Sequence, residues 1–190
     1  MAATPSTMLE LGTIAPSFDL GDTGGQTVRL EDVKGHLGTL ICFICNHCPY
    51  VVHIQRELLS LTQWAQEHGF GVVGINSNDI KSYPEDSPEK MKLHKEKIGY
   101  SFPYLFDETQ EVAKAYRAAC TPDFFLFDKD LRLVYRGQFD ESRPKNQVPV
   151  TGQDLKNAMT SLIEGKPISY DQRASLGCNI KWKPGNEPKY

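Results

Sequence analysis

The longest unbroken run of apolar side chains in this 190-residue chain is Leu40 to Cys45, within a nearly continuous apolar stretch from Leu37 to Ile44. A run without alternation predicts a strand buried on both faces. From Pro49 to His68 the rhythm changes. Val51, Val52, Leu58, Leu59, Leu61 and Trp64 recur at helical spacing, and Gly69 closes the segment. Phe70 to Ile75 predicts a second buried strand. A polar stretch over 76–88 then leads into a charged amphipathic helix from Pro88 to Ile98, with proline suited to its first turn. Further on, the pattern predicts a strand over 104–106, a helix over 108–118, strands over 124–127 and 131–135, and a last helix over 152–165. Upstream, Ser17 to Leu20 and Thr27 to Leu30 flank the turn signal Gly21-Asp22-Thr23-Gly24-Gly25, which predicts a hairpin after an irregular lead-in over 1–16. Strand and helix alternate, so the expected class is α/β, a sheet with helices on both faces.

Residues 1–165 form the expected domain, and 166–190 an extended tail packed on it. Within the tail, Ile180, Lys181, Trp182 and Lys183 alternate as in an edge strand or docked arm, with Trp182 as its anchor. Composition changes this picture little: 39% of residues are hydrophobic and 24% charged. The net charge of −3 leaves no dominant basic surface, which argues against nucleic acid or an anionic membrane as partner. Six apolar residues are far too few to span a bilayer. The opening MAATPSTMLELG has neither a basic start nor an apolar core, so a cytoplasmic protein is expected. In that setting five cysteines point to free, catalytic or metal-bound thiols rather than a disulfide framework.

Three of the five, Cys42, Cys45 and Cys48, stand at equal steps in ICFICNHCPYVV. Cys42 lies mid-strand, about 10 Å along the chain from Cys45 at ~3.3 Å per residue, and an odd spacing points the two to opposite faces. A disulfide needs Cα atoms within about 7 Å, so these two should not pair. Cys45 and Cys48 flank a strand-to-helix turn and can close. Cys42 then reads as a small buried hydrophobe. Unpaired N–H groups at a helix start stabilise a thiolate, which makes Cys45 the expected nucleophile and Cys48 its resolving partner. His47, when protonated, adds to that stabilisation or is a solvated turn residue. A zinc or iron–sulfur site would need ligands converging on one point, which a mid-strand Cys42 prevents, so no metal is expected.

Seventy-two residues beyond Cys48 comes Cys120-Thr121-Pro122-Asp123, leading into the apolar strand FFLF. Proline before a central strand is unusual. A cis Thr121-Pro122 bond would set free backbone groups beside the thiols, ready to pair with an extended substrate. Asp123 is a candidate proton acceptor or a solvated capping residue. Cys120 is a possible third redox thiol or a half-buried structural one, and Cys178 a tail thiol able to resolve, to link to another chain, or to stay inert.

Over residues 10–165 the chain resembles the thioredoxin-like superfamily, and within it the redoxin or alkyl-hydroperoxide-reductase-like (AhpC/TSA) branch. LGTIAPSFDLGDTGGQTVRLEDVKGHLGTLICFI resembles that branch's opening, CNHC its redox C-x-x-C, and CTPDFFLFDKDLRLVYRGQFD its cis-proline loop and closing hairpin. The resemblance implies a thioredoxin-like fold with a central mixed sheet, thiol redox activity at Cys45 and Cys48, and substrate contact at Thr121 and Pro122. It implies no organic cofactor, an electron partner such as thioredoxin or glutathione, a thiol or disulfide substrate, and a homodimer as a common assembly. Aligned on Cys48-Pro49, the peroxidatic pattern P-x-x-x-T-x-x-C has Ile41 in place of its proline and Cys45 in place of its threonine. Asn46-His47 between the cysteines is similar to the pair found in strongly oxidising disulfide catalysts. The expected function is therefore thiol–disulfide exchange, with a hydroperoxide-reducing antioxidant peroxidase as the alternative and a metal-binding or redox-sensing module as the third reading.

Overall fold

The computed structural model describes residues 3–190. In chain order its elements are β1 (Ala3–Pro5), β2 (Asp19–Asp22), β3 (Thr27–Arg29), β4 (Gly38–Phe43), α1 (Pro49–Glu67), β5 (Phe70–Asn76), α2 (Pro88–Ile98), β6 (Tyr104–Phe106), α3 (Glu111–Ala115), β7 (Cys120–Thr121), β8 (Asp123–Asp128), β9 (Leu133–Gly137), α4 (Gln153–Ile163) and β10 (Leu176–Asn179). Seven strands form a mixed sheet in the order β3-β2-β6-β5-β4-β8-β9, and β1-β10-β7 form a second, three-stranded sheet. β4, β5 and β6 run parallel, β8 pairs antiparallel with β4, and β9 pairs antiparallel with β8. This is the expected thioredoxin-like arrangement, with β2 and β3 as the amino-terminal hairpin.

β4 takes the centre because all six of its residues can be buried. Leu40 and Cys42 face one side, in a cluster with Ile54, Leu58, Tyr104 and Met159. Ile41 and Phe43 face the other, against Tyr116, Phe125 and Phe127. That is the two-residue period of a strand between two apolar layers. Tyr116 meets Phe125 and Phe127 edge-on, with centroids 5.9 and 6.0 Å away, the geometry that ring quadrupoles favour. Proline in the first turn starts α1 directly after Cys48, its N-cap. Gly69, at φ 86°, takes the left-handed turn that sends the chain into β5.

The structure departs from the sequence pattern in four places. Residues 1 and 2 of the expected irregular lead-in lie outside the described residues, but Ala3–Pro5 forms β1. The helix expected over 108–118 shortens to α3, because Gln110 (φ 66°) and Arg117 (φ 51°) both leave the helical region. The tail strand is β10, upstream of the alternating residues 180–183; Ile180 and Lys181 are buried just past its end. Finally, the charged run Glu85 to Lys97, whose charge density predicts a solvated helix face, buries Asp86 and Met91 completely. No helix among the described residues is long and apolar enough to cross a membrane.

Candidate active site

β4 ends at Phe43 and α1 begins at Pro49, so Cys45 and Cys48 lie on the connection between them. Both are almost fully buried, at 2% and 1% exposure. Thr121 on β7 touches the two together: its Oγ1 is 3.5 Å from Cys45 Sγ, and its carbonyl is 3.1 Å from Cys48 Sγ. The Thr121-Pro122 peptide is cis, as expected. Cys42 and Cys45 do not face opposite sides as their odd spacing predicts. The strand stops between them, and both join the cluster under α1. Cys42 remains inert, its thiol held well above the usual range by burial alone. All five cysteines are buried thiols.

The electrostatics separate the pair. Cys48 is drawn down to about 4, first by a hydrogen bond from Cys45; burial opposes this, while Thr121, Cys178 and the N–H of Val51 in the first turn of α1 pull further down. Protonated, Cys48 instead donates to the Thr121 carbonyl. Cys45 moves the opposite way, raised by holding the shared proton against Cys48, then by burial and by the charge of Asp86. More thiolate-stabilising groups surround Cys48 than Cys45, which has only the Thr121 hydroxyl. Cys48 is the N-cap of α1, nearest the unpaired N–H groups of the helix start, and Cys45 lies three residues upstream.

His47 Nδ1 stands 2.8 Å from Asp86 Oδ2, an ion pair whenever the imidazole is protonated. The ring is half-buried and stacks on Tyr83, with centroids 5.5 Å apart. His47 therefore pairs directly with Asp86. Asp86 was invisible in the sequence as a functional residue. It also accepts from Asn46 N at 2.9 Å and from Asn78 Nδ2 at 2.8 Å, so it fixes the loop between the cysteines. Cys45, His47 and Asp86 bring their ligand atoms within 4.8 Å of one another, yet the Asp86 oxygens already face these three donors. Asp86→Asn should cost about 1–3 kcal/mol, because an amide cannot accept from all of them. It should also move the Cys45 titration to lower pH by removing a facing negative charge. Urea unfolding checks the first effect and thiolate ultraviolet absorbance the second; an unmoved Cys45 would mean that the carboxylate is not felt there.

The remaining sequence candidates sit behind or above the pair. Cys120 is fully buried, its thiol raised first by desolvation and then by the charges of Asp123, Cys48 and Cys178; its Sγ points to Pro122 O at 3.6 Å. Asp123 is not solvated. It is completely buried on β8, and desolvation pushes its carboxyl up to about 7, against weaker opposite pulls from Ser6, Ala119 and Phe124. The backbone edge at Thr121, expected to be free for substrate, is occupied: β10 pairs antiparallel with β7, placing Cys178 opposite Thr121. Ser175 Oγ adds a hydrogen bond to Pro122 O at 2.6 Å.

The AhpC/TSA family profile matches residues 11–136. An uncharacterized conserved protein from Geobacillus kaustophilus, known from its crystal structure, is 56% identical over 97% of this chain and 98% of its own, with a TM-score of 0.96. A hypothetical protein from Sinorhizobium meliloti 1021 is similar at 47% identity over 96% of this chain and 100% of its own, with a TM-score of 0.94. Among curated relatives, the thiol-disulfide oxidoreductase ResA of Geobacillus thermodenitrificans (strain NG80-2) is 29% identical over 130 residues, 67% of this chain and 68% of that protein. The matched segment runs from just before the amino-terminal hairpin to β9 and takes in Cys45, Cys48, Thr121 and Pro122; the chain belongs to the AhpC/TSA family.

Proposed function

We propose that the chain is a thiol–disulfide oxidoreductase that works through the Cys45–Cys48 dithiol. The observation that carries this reading is the meeting of both thiols on the cis-proline loop, with Thr121 Oγ1 3.5 Å from Cys45 Sγ, Thr121 O 3.1 Å from Cys48 Sγ, and Cys48 at the N-cap of α1. The Cys48 thiolate attacks one sulfur of a substrate disulfide, forming a mixed disulfide and releasing the other sulfur as a thiolate. Cys45 then gives up its proton and attacks Cys48 Sγ. The mixed disulfide breaks, the Cys45–Cys48 bond forms, and two electrons have passed to the substrate. Run backwards, the same steps oxidise a dithiol. A thiol reductant such as glutathione or a thioredoxin resets the pair in a cytoplasmic setting, and no organic cofactor is needed. The curated relative named above carries the same reaction class in its name.

Mixing reduced protein with oxidised glutathione should give a Cys45–Cys48 bridge by non-reducing peptide mass spectrometry, while one equivalent of hydrogen peroxide reacts slowly. The antioxidant peroxidase reading has one observation in its favour, the low-pKa thiol directly before Pro49 at the helix start. Against it, Ile41 and Cys45 stand where the peroxidatic pattern has proline and threonine. A rapid peroxide reaction through a sulfenic acid on Cys48 would move the assignment to that reading.

A further inference from the structure

β10 does more than pack on the domain. Its inner edge pairs with β7 in the register Cys178↔Thr121 and Asn179↔Cys120, continued by Ile180 N to Ala119 O at 3.1 Å. Its outer edge pairs with β1, Ala3 lying opposite Cys178 and Thr4 opposite Gly177. A strand bonded on both edges is a built element and not a loose flap. It takes the place beside the cis-proline loop where an extended disulfide or thiol substrate would add as a strand. Close approach there depends on Gly177, where an added Cβ would come within 2.0 Å of Thr121 O. The result is that Cys178, 5% exposed, joins Cys45 and Cys48 in one buried cluster. The segment matched by the family profile ends at residue 136, so this thiol lies outside it.

We propose that Cys178 is a third, resident redox thiol, carried by a tethered strand in the substrate position and exchanging with Cys48. The proposal rests on the oxidoreductase reading above. In the oxidised protein the Cys178 sulfur, on losing its proton, attacks Cys48 Sγ. The Cys48–Cys178 bond forms, the Cys45–Cys48 bond breaks, and Cys45 leaves as a thiolate that takes up the proton. Two sulfurs remain oxidised throughout, so no outside oxidant or reductant enters. Cys178 stands opposite Thr121 in the β10–β7 register, and Cys48 Sγ lies 3.1 Å from the Thr121 carbonyl, so Cys48 is the common member of both bridges. Closing the Thr121 edge also means that extended protein substrates do not dock there while β10 is in place.

The test uses Cys45→Ser protein, full length, with oxidised glutathione as the probe. Glutathione first caps Cys48, releasing one reduced glutathione. Cys178 then displaces the second, and peptide mapping should show an intramolecular Cys48–Cys178 bridge as the main product. Adding Gly177→Ala pushes β10 away from Thr121 without touching a thiol. The bridge should then fall by about tenfold relative to glutathione-capped Cys48, as the effective concentration of Cys178 drops. Circular dichroism confirms that the double variant is folded, and Cys45→Ser/Cys178→Ser serves as the second control, expected to stay capped. If Cys45→Ser itself stays capped with Cys178 free, the third-thiol proposal is overturned. Wild-type protein in the same experiment keeps the two readings apart: a Cys45–Cys48 bridge there leaves the proposed function standing, and its absence sinks that function first.

Discussion

Cys48→Ser protein should show no measurable disulfide turnover, a loss of at least about three orders of magnitude, because a serine hydroxyl neither ionises nor attacks sulfur under these conditions. Cys45→Ser should behave differently. It keeps the first attack, releases substrate thiol in a single burst (two equivalents with oxidised glutathione, where Cys178 resolves the cap), and then stops with Cys48 held in a disulfide. The asymmetry follows from where the donors are, with Cys48 drawn down to about 4 chiefly by the Cys45 thiol. Alkylation of Cys48 by iodoacetamide should therefore stay fast well below neutral pH and slow only as the pH falls through about 4. Removing that donor in Cys45→Ala should shift the slowing to higher pH, since the largest stabilising contact on the thiolate is lost. The opposite result, a burst in Cys48→Ser and none in Cys45→Ser, would return the attacking role to Cys45.

The parts of this arrangement that were legible in the sequence are those written in local pattern. An unbroken apolar run specifies β4, whose residues face two clusters. Helical spacing and a proline specify α1, and the C-x-x-C marks the thiols between them. Thr121-Pro122 before FFLF marks the loop that meets them. What was illegible depends on pairings between distant segments. β1 is three residues long and β10 four, and they meet across more than 170 positions. No periodicity in ATP or LGCN announces that contact. Asp86 belongs to the charged run Glu85 to Lys97, whose composition is that of a solvated helix face. Only the fold of that loop over Asn46 buries it. Asp123 was one place from the loop proline and ambiguous for the same reason: the apolar run FFLF stops just short of it, and strand pairing with Phe43 brings it into the fully buried start of β8.

That burial makes Asp123 the source of a steep pH dependence in stability. Its carboxyl has an ordinary value of 3.8 when exposed in the unfolded chain and is pushed to about 7 in the folded protein, mainly by desolvation. Below the lower value both states hold the proton. Between the two values the folded state keeps a proton that the unfolded chain has released, so stability falls as pH rises. Above the higher value both are ionised, and the loss is complete. Three units at about 1.36 kcal/mol each give an expected loss of the order of 4 kcal/mol between about pH 4 and pH 8 from this one group. Asp123→Asn keeps the shape and carries no proton to release, so it should be much less sensitive over that window. Urea unfolding of the two proteins across the range isolates the effect, because every other titrating group is common to both. The stability curves should diverge as pH rises, with the variant gaining on the wild type. Parallel curves would mean that the buried carboxyl titrates near its ordinary value, and that water or a rearranged Ser6 reaches it.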